Sequence, residues 1–217
     1  MVTQELINQI LLIPYFFIAI NLLVGLLTFK RHSKIQRLLF ILIIVTAVSE
    51  SISKILWYQK LNNLPVFHFY AVIEFMLFML IFENAYRIKA SYFNPFRLVI
   101  YSMVAFALFN GVFLQSITEF NSNVITISAS VLTLLSLLYF YKLLKEVSHI
   151  SLETQPVFWI NVGVLIYFSS SLVFFLASNA LAGQSLDVRG IVWGTHALFN
   201  VFHYIAFSIA LWVKPRT

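Results

Sequence analysis

The chain contains no cysteine, and only 10% of its 217 residues are charged. The absence of cysteine excludes disulfides, thiolate nucleophiles and every metal or iron–sulfur site that needs a thiolate ligand. The low charge excludes an ordinary soluble domain, in which about 25% of the residues are charged. Glycine and proline are also sparse, with six and five residues, so long helices meet few interruptions.

Hydrophobic residues are abundant instead, at 61% of the chain. They are grouped in runs of about 20 residues, which is the length that a helix needs to cross a bilayer. The runs do not show the alternating pattern of a transmembrane β-barrel. The sequence therefore predicts an all-α polytopic membrane protein, a single seven-transmembrane-helix domain covering residues 1–217. The predicted spans are approximately 6–29, 38–58, 66–86, 98–114, 124–144, 157–178 and 191–213.

The basic residues are distributed unevenly between the two ends of these spans. One side holds eleven of them: Lys30, Arg31, Lys34, Arg37, Arg87, Lys89, Arg97, Lys142, Lys145, Lys214 and Arg216. The other side holds three: Lys54, Lys60 and Arg189. Because cytoplasmic loops are enriched in Lys and Arg, the N-terminus is expected outside and the C-terminus in the cytoplasm. The predicted location is a bacterial cytoplasmic (inner) membrane, and the net charge of +6 reflects these loops rather than a nucleic-acid partner.

The last predicted span carries an unusual polar and aromatic stripe. Trp193, His196, Asn200 and His203 are separated by three, four and three residues, so a helix places them on one face. Lipid offers no hydrogen-bond partner to two imidazoles and an amide. The stripe is therefore expected to face other helices or water inside a bundle.

Two acidic residues lie at a similar depth in other spans. At about 1.5 Å per residue, Glu50, Glu74 and His196 all fall in the outer half of the membrane. We expect them to line one pocket with neighbouring residues of the same helix faces, a set comprising Glu50, Glu74, His196, Asn200, Tyr70 and Trp193. Most of the remaining Phe and Tyr residues are expected to face lipid or to anchor the bundle at the interfaces.

Simpler interpretations of the same residues remain open. Glu50 can pair with Lys54, which lies one helical turn further along. His196 and His203 can be satisfied by packing, and Asn200 can serve as an interhelical hydrogen-bonding residue. His68 lies near the expected interface, where a histidine is unremarkable.

Part of the last span is similar to a known motif. The stretch His196-Ala-Leu-Phe-Asn200 resembles the HxxxH motif of the seven-span hydrolase superfamily of alkaline ceramidases, haemolysin-III proteins and adiponectin-receptor-like proteins. That resemblance implies zinc held by histidines, with His196, His203 and His68 as the candidate ligands here, although Asn200 stands where the motif has its second histidine. A retinal protein is not expected, because the last span has no lysine at its middle.

A broader resemblance covers most of the chain. The stretches 63–68, 72–75 and 156–163, together with the Trp193, His196 and Asn200 stripe, look like those of uncharacterised small seven-span membrane proteins of Bacteroidetes-type bacteria. The resemblance implies a multi-pass protein of the inner membrane. It implies no particular activity.

Three functions follow from these observations. The first is a non-catalytic membrane protein, a sensor, receptor-like protein or partner subunit that binds a small ligand or lipid and works through a signalling partner or a homo-oligomer. The second is a zinc-dependent intramembrane lipid hydrolase, with a glutamate as general base. The third is a proton-coupled transporter that relays protons through Glu50, Glu74 and His196.

Overall fold

The computed structural model describes residues 4–87, 94–146, 151–181 and 186–214. All regular structure in these ranges is helical, which confirms the all-α prediction. The seven α-helices are α1 (Gln4–Thr28), α2 (Lys34–Tyr58), α3 (Leu64–Ala85), α4 (Pro95–Phe109), α5 (Ser122–Lys145), α6 (Pro156–Leu181) and α7 (Leu186–Trp212). Short helical turns follow α1 (Phe29–Arg31), follow α4 (Asn110–Leu114) and precede α6 (Leu152–Thr154).

Five of the described helices are long and apolar enough to cross a membrane. They cover Gln9–Arg31, Lys34–Tyr58, Leu64–Ala85, Pro95–Leu114 and Ser122–Lys145, and α6 adds a shorter apolar stretch, Pro156–Leu172. Large hydrophobic side chains are exposed on their outer surfaces, such as Leu27 at 72% and Phe113 at 71%. Apolar surface of this extent is expected of a bundle surrounded by lipid. The chain is thus a helical membrane protein, and the number of spans and their orientation remain predictions.

Residues at the helix starts explain several of the boundaries. Ser33 and Gln36 form a capping box at the start of α2, in which each side chain hydrogen-bonds to the backbone N–H of the other residue. The Asn94 side chain accepts hydrogen bonds from the first N–H groups of α4. Pro65, Pro95 and Pro156 lie in the first turns of α3, α4 and α6, where a missing N–H costs nothing.

Helix α7 packs against α1 and α6 and also contacts α2, while α3 packs against α2, α4 and α5. Consecutive helices run in opposite directions, so α1, α3, α5 and α7 begin at one end of the bundle and α2, α4 and α6 begin at the other. We call the second end the basic end. It holds nine of the eleven Lys and Arg residues whose side chains the structure describes: Lys30, Arg31, Lys34, Arg37, Arg87, Arg97, Lys142, Lys145 and Lys214.

The interior towards the basic end is filled by aromatic side chains. Phe75, Phe78 and Phe82 repeat at helical spacing along α3 and are each at most 1% exposed. The Phe78 ring lies 5.5 Å from Phe168 on α6 and 6.2 Å from Phe207 on α7, measured between ring centroids. Lipid tails are as apolar as these side chains, so close packing rather than exclusion from water stabilises such contacts in a membrane.

Buried amides fix neighbouring helices to one another. Asn21 on α1 is fully buried, and its Nδ2 donates to the backbone oxygen of Tyr204 on α7 at 3.0 Å. Ser136 on α5 and Asn161 on α6 each donate from their side chains to the other's backbone oxygen, at 3.1 and 3.2 Å. Such bonds satisfy polar groups that lipid cannot, and they specify which helices pair.

The last carbonyl groups of α7 are capped by residues from the turn after α1 and from the first turn of α2. Gln36 is fully buried, and its Nε2 donates to the backbone oxygens of Ala210 and Val213, both at 2.9 Å. Arg31 donates to the oxygen of Trp212 at 2.8 Å, and its guanidinium also lies over that indole ring. Helix ends leave four carbonyls without partners in the helix itself, so these contacts fix the position of α7 at the basic end.

A glycine on α1 allows α1 and α2 to approach closely. A Cβ at Gly25 would overlap the buried ring of Phe40, whereas a Cβ at Gly194 would meet only Ile10, at 3.8 Å.

We expect Gly25→Ala to lower the stability of the protein by about 1–3 kcal/mol, the usual cost of overpacking a core. Thermal unfolding in detergent measures this. The matched variant Gly194→Ala is expected to leave the melting temperature unchanged or higher, and equal melting temperatures for the two variants would contradict the packing described here.

Candidate functional site

The half of the bundle opposite the basic end contains a cavity of about 410 Å³. Side chains from α1, α2, α3, α5, α6 and α7 line it, and we call this half of the bundle the cavity end. The lining includes all six residues that the sequence places in a common pocket: Glu50, Tyr70, Glu74, Trp193, His196 and Asn200. His203, considered above as a metal ligand, also lines the cavity, whereas His68 is not among the lining residues.

Glu74 on α3 is held by a tyrosine of its own helix. The Tyr70 hydroxyl, one turn earlier, donates to Glu74 Oε1 at 2.7 Å. On its other side this hydroxyl lies 3.1 Å from Thr46 Oγ1 on α2, which can also donate to the backbone oxygen of Leu42 at 2.9 Å. Each hydroxyl has a single proton. When Tyr70 donates to Glu74, only Thr46 can be the donor between Thr46 and Tyr70, and Thr46 then does not donate to Leu42.

Glu50 on α2 is held by a different helix. The Tyr15 hydroxyl on α1 donates to Glu50 Oε2 at 3.1 Å. The Lys54 ammonium, one turn further along α2, lies over aromatic rings instead, 4.8 Å from the centroid of Trp57 and 5.4 Å from that of Tyr58. Such cation–π contacts provide the lysine with an alternative to a carboxylate partner.

Neither cavity glutamate belongs to an ion pair with another described residue. In the parts of the chain that the structure describes, ion pairs within 4.0 Å are formed between Arg97 and Glu83 and between Lys142 and Glu146. Both pairs lie at the basic end. The pairing of Glu50 with Lys54, which helical spacing permits, is therefore not seen among the described side chains.

His196 on α7 is placed by two hydroxyl groups of α6. Its Nδ1 lies 3.0 Å from Ser171 Oγ, and its Nε2 lies 3.4 Å from the Tyr167 hydroxyl. Ser171 is fully buried and does not line the cavity, so it holds the imidazole from behind. The Trp193 ring packs edge-on against the same imidazole, with 5.7 Å between ring centroids.

His203 lies two turns further along α7, where the cavity ends. It is 4% exposed, and its ring centroid lies 4.0 Å from that of Phe207 and 4.7 Å from that of Tyr167. Gly163 lets α6 approach here, because a Cβ at that position would lie 3.3 Å from the His203 backbone oxygen. His203 is thus part of the packed boundary between the cavity and the aromatic core.

Asn200 on α7 lies in the wall of the cavity. It lies one helical turn before Tyr204, which also lines the cavity. The backbone oxygen of Tyr204 accepts the hydrogen bond from Asn21. Asn200 is therefore a lining residue, and its role as an interhelical hydrogen-bonding residue stays a prediction.

The three histidines considered as zinc ligands do not form a metal site. His68 Nε2 lies 3.0 Å from the backbone oxygen of Glu119, on the link between α4 and α5. A zinc site needs three or four ligand atoms about 2.0–2.3 Å from the ion. The described residues contain no group of three His, Asp or Glu side chains that could hold a metal ion.

Tyrosines are the main feature of the cavity that the sequence does not reveal. Besides Tyr70, three of them line the cavity: Tyr15, Tyr167 and Tyr204. In the sequence, these tyrosines cannot be told from aromatic residues that face lipid. Only the packing of α1, α6 and α7 directs their side chains into the cavity. The spacing of Tyr70 and Glu74, four residues apart on a helix, is the one local signal of this arrangement.

The hydrogen bond between Tyr70 and Glu74 can be tested by substitution. We expect Tyr70→Phe to destabilise the protein by about 1–3 kcal/mol, because it removes the donor to an enclosed carboxyl group. The loss of stability caused by Tyr70→Phe should be smaller in a Glu74→Gln background than in the parent. A double-mutant cycle of thermal unfolding measures the difference between the two losses. Tyr101→Phe, at a residue 66% exposed on α4, is the control. Additive effects of Tyr70→Phe and Glu74→Gln would contradict a direct interaction.

Comparison of the chain with known protein families, with curated proteins and with solved structures finds no match. The role of the cavity must therefore be argued from the residues that line it.

Proposed function

We propose that the protein is a non-catalytic integral membrane protein that binds a small ligand or a lipid in this cavity and acts as a sensor, a receptor-like protein or a partner subunit. One observation carries the proposal. Six polar or aromatic residues from three separate helices, α2, α3 and α7, face a single cavity of about 410 Å³. Cavities of about 300–1,000 Å³ with a few convergent polar groups are typical of small-molecule sites.

The energetic cost of the polar groups supports a role in binding. A charged side chain in the hydrocarbon region costs about 2.5–3.5 kcal/mol on the insertion scale. If these positions served only to pack the helices together, apolar side chains of similar volume would stabilise the bundle better. Polar residues such as Glu50, Glu74 and His196 around an open space are consistent with selection for a bound molecule.

The concentration of basic residues at the basic end supports an orientation in which that end faces the cytoplasm. An excess of Lys and Arg at one end is typical of the cytoplasmic side, and nine of the eleven described basic side chains lie there. We therefore propose a seven-span protein of a bacterial inner membrane with the N-terminus and the cavity end outside. A ligand would then enter from the external side or from the outer leaflet.

The arrangement supports binding better than hydrolysis or proton transfer. Ser171, the serine beside His196, does not line the cavity, so a substrate bound there does not contact its hydroxyl. Glu50 and Glu74 hydrogen-bond to different tyrosines, and among the described contacts no hydrogen bond joins the two glutamates. A relay of protons between them would need a further bridging group.

The proposed orientation can be tested with single cysteines, since the chain has none of its own. Leu61 is 56% exposed between α2 and α3 at the cavity end, and Leu152 is 37% exposed before α6 at the basic end. We expect a membrane-impermeant maleimide to label Leu61→Cys in intact spheroplasts and to label Leu152→Cys only after permeabilisation. The reverse pattern would contradict the proposed orientation, and the cysteine-free parent is the control for background labelling.

The proposed binding role can be tested by filling the cavity. Ala197 lines the cavity, whereas Ala19 on α1 is exposed at the outer surface of the bundle. We expect native mass spectrometry of the gently extracted protein to detect a retained small molecule or lipid. Ala197→Phe should reduce its occupancy about tenfold or more, as expected for a loss of about 1.4 kcal/mol or more of binding free energy.

Ala19→Phe adds the same volume outside the cavity and should retain the molecule at the parental level. The melting temperatures of both variants establish that they are folded. Equal retention by the parent, Ala197→Phe and Ala19→Phe would contradict binding in the cavity.

A further inference from the structure

We infer that the molecule bound in the cavity is an organic cation, an ammonium or related group attached to an apolar body. The inference rests on the proposed function, because it specifies the chemical class of ligand for that same cavity. It is carried by the arrangement of the two carboxyl groups, the aromatic rings around them and the distribution of basic residues.

In the described part of the chain, the cavity is lined by two carboxyl groups and by no lysine or arginine. Glu50 and Glu74 both line it, and no Lys or Arg side chain does so in the part of the chain that the structure describes. Lys54 is the basic residue nearest to Glu50 along α2, and it does not line the cavity. Its ammonium lies over three aromatic rings, of which that of Tyr15, 5.7 Å away, belongs to the lining. A ligand carrying positive charge would therefore supply inside the cavity the counter-charge that no lysine or arginine of the lining supplies.

Each carboxyl group also keeps one oxygen available. Tyr15 donates to Glu50 Oε2 and Tyr70 donates to Glu74 Oε1. The other oxygens, Glu50 Oε1 and Glu74 Oε2, have no hydrogen-bond partner among the described residues and are not among the buried unpaired atoms there. Both residues line the cavity, so these oxygens are the groups of the wall that can accept hydrogen bonds from an ammonium group. Such charged hydrogen bonds are stronger than those between neutral groups.

Aromatic rings complete a surface that favours organic cations. Tyr15, Tyr70, Tyr167, Tyr204 and Trp193 all line the cavity. The faces of such rings attract cations, and enclosure away from water strengthens the attraction to about 2 kcal/mol or more. Rings of this kind are the common way in which proteins recognise alkylated ammonium groups.

The rest of the lining indicates that the cation carries an apolar body. Ile18, Leu42, Ile43, Phe67 and Phe207 form part of the wall. A metal cation such as Na⁺ or Ca²⁺ prefers a shell of oxygen ligands, and these side chains offer none. An amine with an aromatic or aliphatic group can bind the carboxyl groups and tyrosine rings through its ammonium and contact the apolar side chains through its body.

The test compares two probes of nearly the same shape and different charge. Phenethylammonium and 2-phenylethanol are each titrated into the purified full-length chain in nanodiscs of uncharged lipid at neutral pH, and calorimetry measures the two affinities. We expect the ammonium to bind at least about tenfold more tightly than the alcohol, because only the cation gains the charged hydrogen bonds and the cation–π contacts.

Matched variants locate the preference. Glu74→Gln and Glu50→Gln should each weaken binding of the ammonium about tenfold or more and leave binding of the alcohol within about twofold, since a neutral amide removes only the charge. Glu119→Gln removes the same charge from an exposed position at the same end of the bundle and should change neither affinity. Its lack of effect excludes a general influence of surface charge.

The outcomes separate this inference from the proposed function. If both probes bind the parent equally and Ala197→Phe weakens both, the cavity is a binding site and the cation assignment is overturned. The same assignment is overturned if the ammonium preference survives in both Glu74→Gln and Glu50→Gln. If neither probe binds the parent, the cation assignment is overturned. The proposed function is then still tested by mass spectrometry, which supports it if Ala19→Phe retains a native molecule and Ala197→Phe does not.

Discussion

The hydrogen bonds from Tyr15 to Glu50 and from Tyr70 to Glu74 are the interactions on which the cavity end depends. An enclosed carboxyl group without partners costs several kcal/mol in hydrocarbon, so its neighbours must be arranged to satisfy it. The tyrosines do this with one hydroxyl for each acid, one from another helix and one from the same helix. Each carboxyl group is thereby fixed in direction while one of its oxygens stays available to the cavity.

The two halves of the bundle differ in how completely they are packed. Towards the basic end, Gln36 and Arg31 cap α7, and phenylalanine rings that pack edge-on or at a tilt fill the interior between α3, α6 and α7. Towards the cavity end, the same helices are separated by about 410 Å³ of open space. Rigid packing on one side of a binding site holds its polar groups at fixed positions, which is what selective recognition of a small molecule requires.

The helices could be predicted from sequence because each is specified locally. Apolar runs of about 20 residues define the membrane-crossing segments, and residues such as Ser33, Asn94 and Pro156 mark where helices begin. The grouping of Glu50, Glu74 and His196 could also be predicted, since helical geometry gives both the face and the depth of each residue. Neither inference needs knowledge of which helices are neighbours.

The partners of these groups could not be predicted, because they depend on how the helices pack. His196 is held by Ser171, but three consecutive serines occupy residues 169–171 and only the contact between α6 and α7 selects one of them. Lys54 lies one turn from Glu50, yet the rings of Trp57 and Tyr58 attract its ammonium instead. Local spacing shows which contacts are possible, and tertiary packing decides among them.

The most direct measurement is an experimental structure of the protein in lipid nanodiscs at a resolution that shows side chains. We expect the Tyr70 hydroxyl at hydrogen-bonding distance from Glu74, near the 2.7 Å found here, with Glu50, His196 and Asn200 facing the same enclosed space. A structure in which these side chains point to lipid or to separate parts of the bundle, or in which the space is filled by neighbouring side chains, would contradict a shared binding cavity.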